Sequence, residues 1–156
     1  MLKLSPVAYD DLKRIEFFTE LTDGELEGIQ PLCKEEHYHA GDLIFIEDTP
    51  ADHLYVLKGG RISIDITVGS GKYVSVLTVS HFAEPFGWST LIAPFRFTAT
   101  ARCIEDSTVF SIDGKGLMGL IERDYRMGFL IMRRVAKIIS ERVRDTRLQL
   151  IHTFYG

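Results

Sequence analysis

The chain has 156 residues, the size of one ordinary domain, with 46% in the apolar set AVILMFWYC and 26% charged. These proportions exclude a disordered, collagen-like or disulfide-stapled chain and allow one buried core. Eighteen Lys and Arg stand against 22 Asp and Glu, and the formal charge of −4 is a poor match to a polyanion such as duplex DNA. The first eleven residues, Met1 to Asp11, lack the apolar centre of a signal peptide, and no stretch reaches the ~18 apolar residues of a membrane span. A cytoplasmic protein with no membrane partner is expected. Cys33 and Cys103 lie far apart with no Cys-x-x-Cys pair, so both are expected as buried or indifferent thiols and no metal is expected on them.

Residues 6 to 35 read as short helices. Leu12, Ile15, Phe17 and Phe18 precede Thr22-Asp23-Gly24-Glu25, a capping-box spacing that opens a helix through Leu26, Ile29 and Leu32. From His37 to Ile112 the apolar period becomes two, as in Ile62, Ile64 and Ile66 against Arg61, Ser63, Asp65 and Thr67. Turn signals such as Ala40-Gly41-Asp42, Gly59-Gly60 and Gly69-Ser70-Gly71 fall at intervals of roughly 8–12 residues, the pattern of an antiparallel sandwich or jelly roll. Asp113 is a cap for a short helix through Leu117, Leu120 and Ile121. A longer helix follows from about Tyr125 to Ile151, with Met132, Val135, Ile139, Val143, Thr146 and Leu150 at three- and four-residue steps. About 27 residues make a rod of roughly 40 Å, longer than a small roll is wide, so its second half is expected to project and to dimerise through that stripe.

The order of helices, roll, short helix and long helix resembles the cyclic-nucleotide-binding domain of catabolite-activator-type regulators and cyclic-nucleotide-dependent kinases. The resemblance is carried by Phe17 to Leu26, by Ala40-Gly41-Asp42-Leu43-Ile44-Phe45-Ile46-Glu47-Asp48, and by Ala51 to Ile62 with its Lys58-Gly59-Gly60-Arg61 turn. It continues through Pro85-Phe86-Gly87 and Thr98-Ala99-Thr100-Ala101, spanning roughly residues 12 to 145. It implies a mainly β, antiparallel jelly-roll (double-stranded β-helix) barrel, with N-terminal helices over 1–36, the roll over 37–112 and C-terminal helices over 113–156. The length leaves no space for the winged helix that catabolite-activator-type regulators carry, so no direct nucleic-acid partner is expected.

The resemblance also implies a phosphate-binding cassette, in which Phe-Gly-Glu opens a short helix facing the cyclic phosphate and an Arg nine residues after the Glu pairs with it. A helix start presents unpaired N–H donors and Arg a planar fork, which is why those groups suit an anion. Here the segment reads Phe86-Gly87-Trp88-Ser89-Thr90-Leu91-Ile92-Ala93-Pro94-Phe95-Arg96-Phe97-Thr98, so Trp88 stands at the Glu position and Phe97 at the Arg position. Side-chain alternation turns the neighbouring Arg96 away from the pocket unless the loop slips by one residue. The candidate ligand residues are Phe86, Gly87, Trp88, Ser89, Thr90, Arg96, Phe97 and Thr98. Losing two charge-assisted contacts weakens a cyclic nucleotide ~10²–10⁴-fold, so tight cAMP binding is not expected. Either Trp88 and Phe97 close the pocket by packing on each other, or they form a platform for another small flat ligand.

The expected function is therefore a regulatory, non-enzymatic signalling module, a homodimer that acts on an unidentified downstream protein. A ligand-free dimerisation scaffold is the alternative. A cupin-like metal site on His37 and His39 is a remote one, because Glu47 and His81 are poorly spaced to complete it. Haem sensing would draw on His53, His81, Cys33 or Cys103, none in a context that singles it out.

Overall fold

A computed structural model describes residues 4–156; the part of the sequence reading that falls on Met1–Lys3 lies outside these residues. Among the described residues, nine strands form two antiparallel sheets. The first sheet has the order β1 (Leu4–Pro6), β2 (Cys33–Tyr38), β9 (Ser107–Asp113), β4 (His53–Gly59), β7 (Pro85–Phe86). The second has the order β3 (Leu43–Phe45), β8 (Thr100–Cys103), β5 (Ile62–Val68), β6 (Lys72–Val79). The α-helices of the described residues are α1 (Tyr9–Lys13), α2 (Asp23–Ile29), α3 (Gly114–Arg123) and α4 (Tyr125–Tyr155).

Strand alternation divides the interior in two. On β4, Tyr55 and Leu57 face the space between the sheets, with Ile62, Val79, Phe86, Ala101 and Val109. Leu54 and Val56 face the other way, with Phe110 and Ile112 of β9, and are covered by Leu12, Phe17, Phe18 and Ile29 from the N-terminal helices and by Leu117, Ile131 and Val135 from α3 and α4. A strand that is apolar on both faces reads as an unbroken apolar run, which is why Leu54-Tyr55-Val56-Leu57 carries no polar residue. The two cores share this first sheet, so a shift of the helices is felt on the same strands that line the roll.

The local signals act as their chemistry requires. The Thr22 hydroxyl accepts from the Glu25 N–H at 3.2 Å, and the Glu25 carboxylate accepts from the Thr22 N–H at 3.0 Å. Asp113 caps α3 by accepting from the Gly116 N–H at 2.9 Å. Asp124 caps α4 in the same way, through the Met127 N–H at 3.1 Å. At the turn after β4, Gly60 has φ of +105°, and a Cβ there would lie 2.7 Å from the Ser107 Cα, so both backbone sign and space demand glycine.

Three boundaries differ from the sequence reading. Residues Leu4–Pro6, placed in the helical segment, form β1 and pair with Lys34–Glu36. The roll begins at Cys33 rather than His37, because Cys33-Lys34-Glu35-Glu36-His37-Tyr38 has no apolar alternation to announce a strand, yet pairs along its whole length with β9. The last helix runs to Tyr155 rather than Ile151. Both cysteines are buried and unpaired, and burial raises the thiols to about 12 for Cys33 and about 11 for Cys103.

Candidate functional site

The cassette begins where β7 ends. Gly87 takes a left-handed conformation (φ +70°, ψ +35°) and opens a single 3₁₀ turn, Trp88–Leu91. A Cβ at Gly87 would meet the Phe45 ring at 2.9 Å and the Tyr55 ring at 3.2 Å, so the turn approaches the roll's aromatic core more closely than any side chain would permit. Gly87→Ala therefore costs about 1–3 kcal/mol, from left-handed strain and a displaced ring, and chemical denaturation should show a lowered midpoint in a folded protein.

Residues of the 3₁₀ turn face different ways, because three residues complete one revolution. Trp88 and Leu91 pack toward the helical core. Ser89 faces a cavity of about 90 Å³ between the two sheets, together with Phe86, Gly87, Phe97 and Thr98. Thr90 is buried, but its hydroxyl lies against Gly114 at the start of α3, so it leaves the set of ligand candidates. Trp88, at the edge it shares with the helical core, and Phe45, Ile64, Leu77 and Ala99 complete the lining. None of the lining residues is ionisable, so the cavity offers no countercharge to a phosphate, and a buried anion without one is costly.

The strand after the loop decides the fate of Arg96. Residues 95–97 pair with residues 48–51, through Ala51 N–H to Phe95 O at 2.8 Å, Phe97 N–H to Thr49 O at 3.0 Å, and Asp48 N–H to Phe97 O at 2.8 Å. Alternation between these two neighbours, after Phe95 at a left-handed φ of +58°, turns Phe97 inward and Arg96 outward. Arg96 is exposed and forms an ion pair with Asp48 at 2.9 Å, while its guanidinium also donates to the Asp48 carbonyl. Arg96 is thus removed from the pocket by the same register that seats Phe97 in it.

Phe97 is 6% exposed and stacks on Phe45, with ring centroids 3.9 Å apart and planes 11° from parallel. Tyr55 and Phe86 surround the pair, each with its ring centroid 5.6–6.0 Å from that of Phe45. The partner of Phe97 is therefore Phe45 and not Trp88, a contact between distant strands that no local pattern announces. Trp88 borders the roll cavity on one side and on the other lines a groove of about 320 Å³ beside α4, with Ile139, Arg142, Val143, Thr146 and Arg147. The indole thereby stands across this groove from the long helix.

On α4 the two apolar faces are distinct. Met127, Ile131, Val135 and Ile138 are buried against the molecule's own core. Val135, expected in the dimer stripe, is 1% exposed and belongs to this inner face, which shared the three- and four-residue spacing. A second series, Phe129, Met132, Ala136, Ile139, Val143, Thr146 and Leu150, alternates steps of three and four in heptad fashion. From Val143 to Tyr155 every residue is exposed, including Val143, Leu150, Ile151 and Phe154. At 1.5 Å per residue the helix of 31 residues is about 46 Å long, and its last third leaves the body of the domain.

The histidines lie apart. The His37 Nδ1 is 2.9 Å from the Thr108 hydroxyl, exposed His39 lies beside Asp106, Glu47 accepts from the Thr67 N–H, and His81 lies 3.8 Å from Glu84. Among the described residues no three His, Cys, Asp or Glu side chains gather as a metal site requires. No helix among them is long and apolar enough to cross a membrane.

Comparison with known proteins agrees with the geometry. Residues 35–124 match the family model for the cyclic nucleotide-binding domain. A curated relative, the "Putative potassium channel protein" of Rhodopseudomonas palustris, is 24% identical over 146 residues, 92% of this chain, although the chain spans only about a third (34%) of that protein's length. The crystal structure of a "Putative Cyclic nucleotide-binding protein" from Geobacter metallireducens superimposes with a TM-score of 0.78 at 28% identity, covering 88% of this chain and 98% of that one. A cyclic nucleotide-binding domain from Methylobacillus flagellatus gives 0.85 at 13% identity, covering 99% and 90%. With two antiparallel sheets, a glycine-led turn between them and a family match over more than half its length, the chain belongs to the cyclic nucleotide-binding domain family.

Proposed function

We propose that this chain is a regulatory module of its family, homodimeric through α4, whose roll is filled by its own aromatic residues and does not hold cAMP or cGMP tightly. The observation that carries this reading is the Phe45–Phe97 stack at 3.9 Å, beside a cavity of about 90 Å³ with no ionisable lining side chain. Small-molecule sites occupy roughly 300–1,000 Å³, so a nucleotide would have to displace the stack and then leave its phosphate without a partner. A ligand of this site is small, flat and uncharged. It acts by favouring one docking of α4 over another through Trp88, since equal affinity for both would shift nothing. The heptad series on the projecting α4 supports the dimer, and the acidic net charge, which disfavours a polyanionic partner, supports a protein as the downstream partner. The reading places the module in the cytoplasm, acting through that partner and not by catalysis of its own.

The filled roll also favours a second reading, a ligand-free dimerisation scaffold. A thermal-shift panel separates the readings. A ligand bound at about 1 μM and supplied at 1 mM stabilises by about 4.1 kcal/mol, which is roughly 8–16 °C in Tm for a domain of this size. Cyclic nucleotides are expected to produce no shift of that order, and a shift from a flat uncharged ligand would favour the receptor over the scaffold.

A further inference from the structure

A second cavity, of about 280 Å³, lies on the other side of the Phe45–Phe97 stack, bounded by β3, the 49–53 turn and the start of β4. The two phenyl rings are the partition between it and the family pocket, since both line both spaces. Its rim is apolar and open to solvent, with Leu43 46% and Ile46 51% exposed. Tyr55 is 8% exposed and lines this cavity, yet its hydroxyl has no hydrogen-bond partner among the described residues. Burial first, and then the carboxylates of Glu36 and Asp52, hold this phenol above its ordinary range, which keeps the O–H intact. The oxygen keeps access to solvent, and a hydroxyl without a protein partner, on a residue that lines a cavity, is a position a ligand can satisfy.

The charges around the cavity narrow the ligand class. Neither lysine nor arginine lines it. Nearby Asp48 is neutralised by Arg96, whereas the Asp52 carboxylate forms no ion pair among the described residues, and the imidazole of His53 stands 6.1 Å from the Tyr55 ring. An unpaired carboxylate that lines one cavity with Phe45, Phe97 and Tyr55 suits a cation on a flat apolar body, through ion pairing and cation–π attraction together. The volume lies near the lower end of the range for small-molecule sites, which limits the body to about one ring.

We propose that this cavity is a binding site for a small aromatic ammonium compound, the ring lying against the Phe45–Phe97 partition, the ammonium on the Asp52 carboxylate, and the Tyr55 oxygen accepting a hydrogen bond from it. The site is separate from the family pocket and does not depend on what that pocket binds. Its occupant would press on Phe45, the ring that limits the space at Gly87, and so bears on the cassette turn that carries Trp88 to α4.

The test is a titration of the ¹⁵N-labelled full chain with benzylamine, followed by amide shifts, with benzoate as the probe of opposite charge on the same ring. Saturable shifts centred on Leu43–Ile46 and Asp52–Tyr55 are expected with benzylamine and not with benzoate. Asp52→Asn, at an exposed side chain, should weaken benzylamine about ten-fold or more, and Tyr55→Phe, which deletes only the oxygen, by a smaller factor of about three. Equal binding of benzoate, benzylamine shifts elsewhere in the molecule, or an Asp52→Asn affinity equal to wild type would each overturn the assignment. A cAMP titration of the same sample reports on the family pocket alone, so failure of one reading is distinguishable from failure of the other.

Discussion

Trp88→Glu combined with Phe97→Arg raises the affinity for cAMP about 10²–10⁴-fold over wild type, which is the value of two restored charge-assisted contacts. The geometry makes the pair the right one to change. Phe97 occupies the inward side of the strand that carries it, so an arginine at that position needs no change of register to face the cavity, whereas the native Arg96 is committed to Asp48 on the outside. Removing the Phe97 ring also breaks the stack on Phe45 and opens the space that the ring fills. The substitution costs stability, because the Phe97 side chain is buried and its stacking contributes about 0.5–1.5 kcal/mol beyond its buried area. A lower Tm without ligand and a rise on adding cAMP are therefore expected together. Calorimetry on the double variant checks this; unchanged, undetectable binding in a folded variant would mean that the aromatic replacements are not what keeps the nucleotide out.

The second large effect is on assembly. Val143→Asp with Leu150→Asp converts a dimer of twice 17.7 kDa into a monomer of 17.7 kDa by light scattering. Both residues occupy one heptad position on the exposed part of α4, 43% and 53% accessible, and neither belongs to the core of its own chain. A dimer would bring four carboxylates into an apolar seam, each replacing about 1.5–3 kcal/mol of aliphatic burial by a desolvation cost, which is enough to raise the dissociation constant at least about 10³-fold. The far-ultraviolet spectrum should be little changed, since the helix remains anchored by Met127, Ile131, Val135 and Ile138. A wild type that is already monomeric at tens of micromolar, or a variant that remains dimeric, contradicts the assignment of that face.

The residues that act locally made much of this fold legible. Thr22 with Glu25, Asp113 with Gly116, and the glycine turn at Gly60 are settled by chemistry within a few residues or by backbone sign, and a reader of the chain can find them. β2 escaped because Lys34, Glu35 and His37 give it a polar sequence; it is a strand by virtue of β1 and β9 on either side, and that is a tertiary cause. The faces of α4 were blurred for a different reason. Val135 and Met132 both satisfy helical spacing, and only the position of the roll decides that one is buried and the other 36% exposed.

The site was legible to the same extent. The order of the cassette groups Phe86, Gly87, Trp88, Ser89, Phe97 and Thr98, and these residues line one cavity. Thr90 was misplaced because a 3₁₀ turn, with three residues per revolution, aims it at Gly114 rather than at the roll. The alternation around Phe45 marks it only as a strand residue, and its role as the ring on which Phe97 stacks depends on pairing between β3 and β8 and of the 95–97 segment with residues 48–51. The clue within the chain was the substitution itself: an aromatic at the position where the family resemblance places an arginine calls for an apolar partner inside the roll.

The central claim, that the family pocket is closed by its own aromatic residues, is tested most directly by calorimetric titration of the unmodified protein with cAMP. The filled cavity predicts no saturable heat up to about 1 mM ligand, a binding free energy weaker than about 4 kcal/mol. A single-site isotherm in the low micromolar range, with one nucleotide per chain, would contradict it.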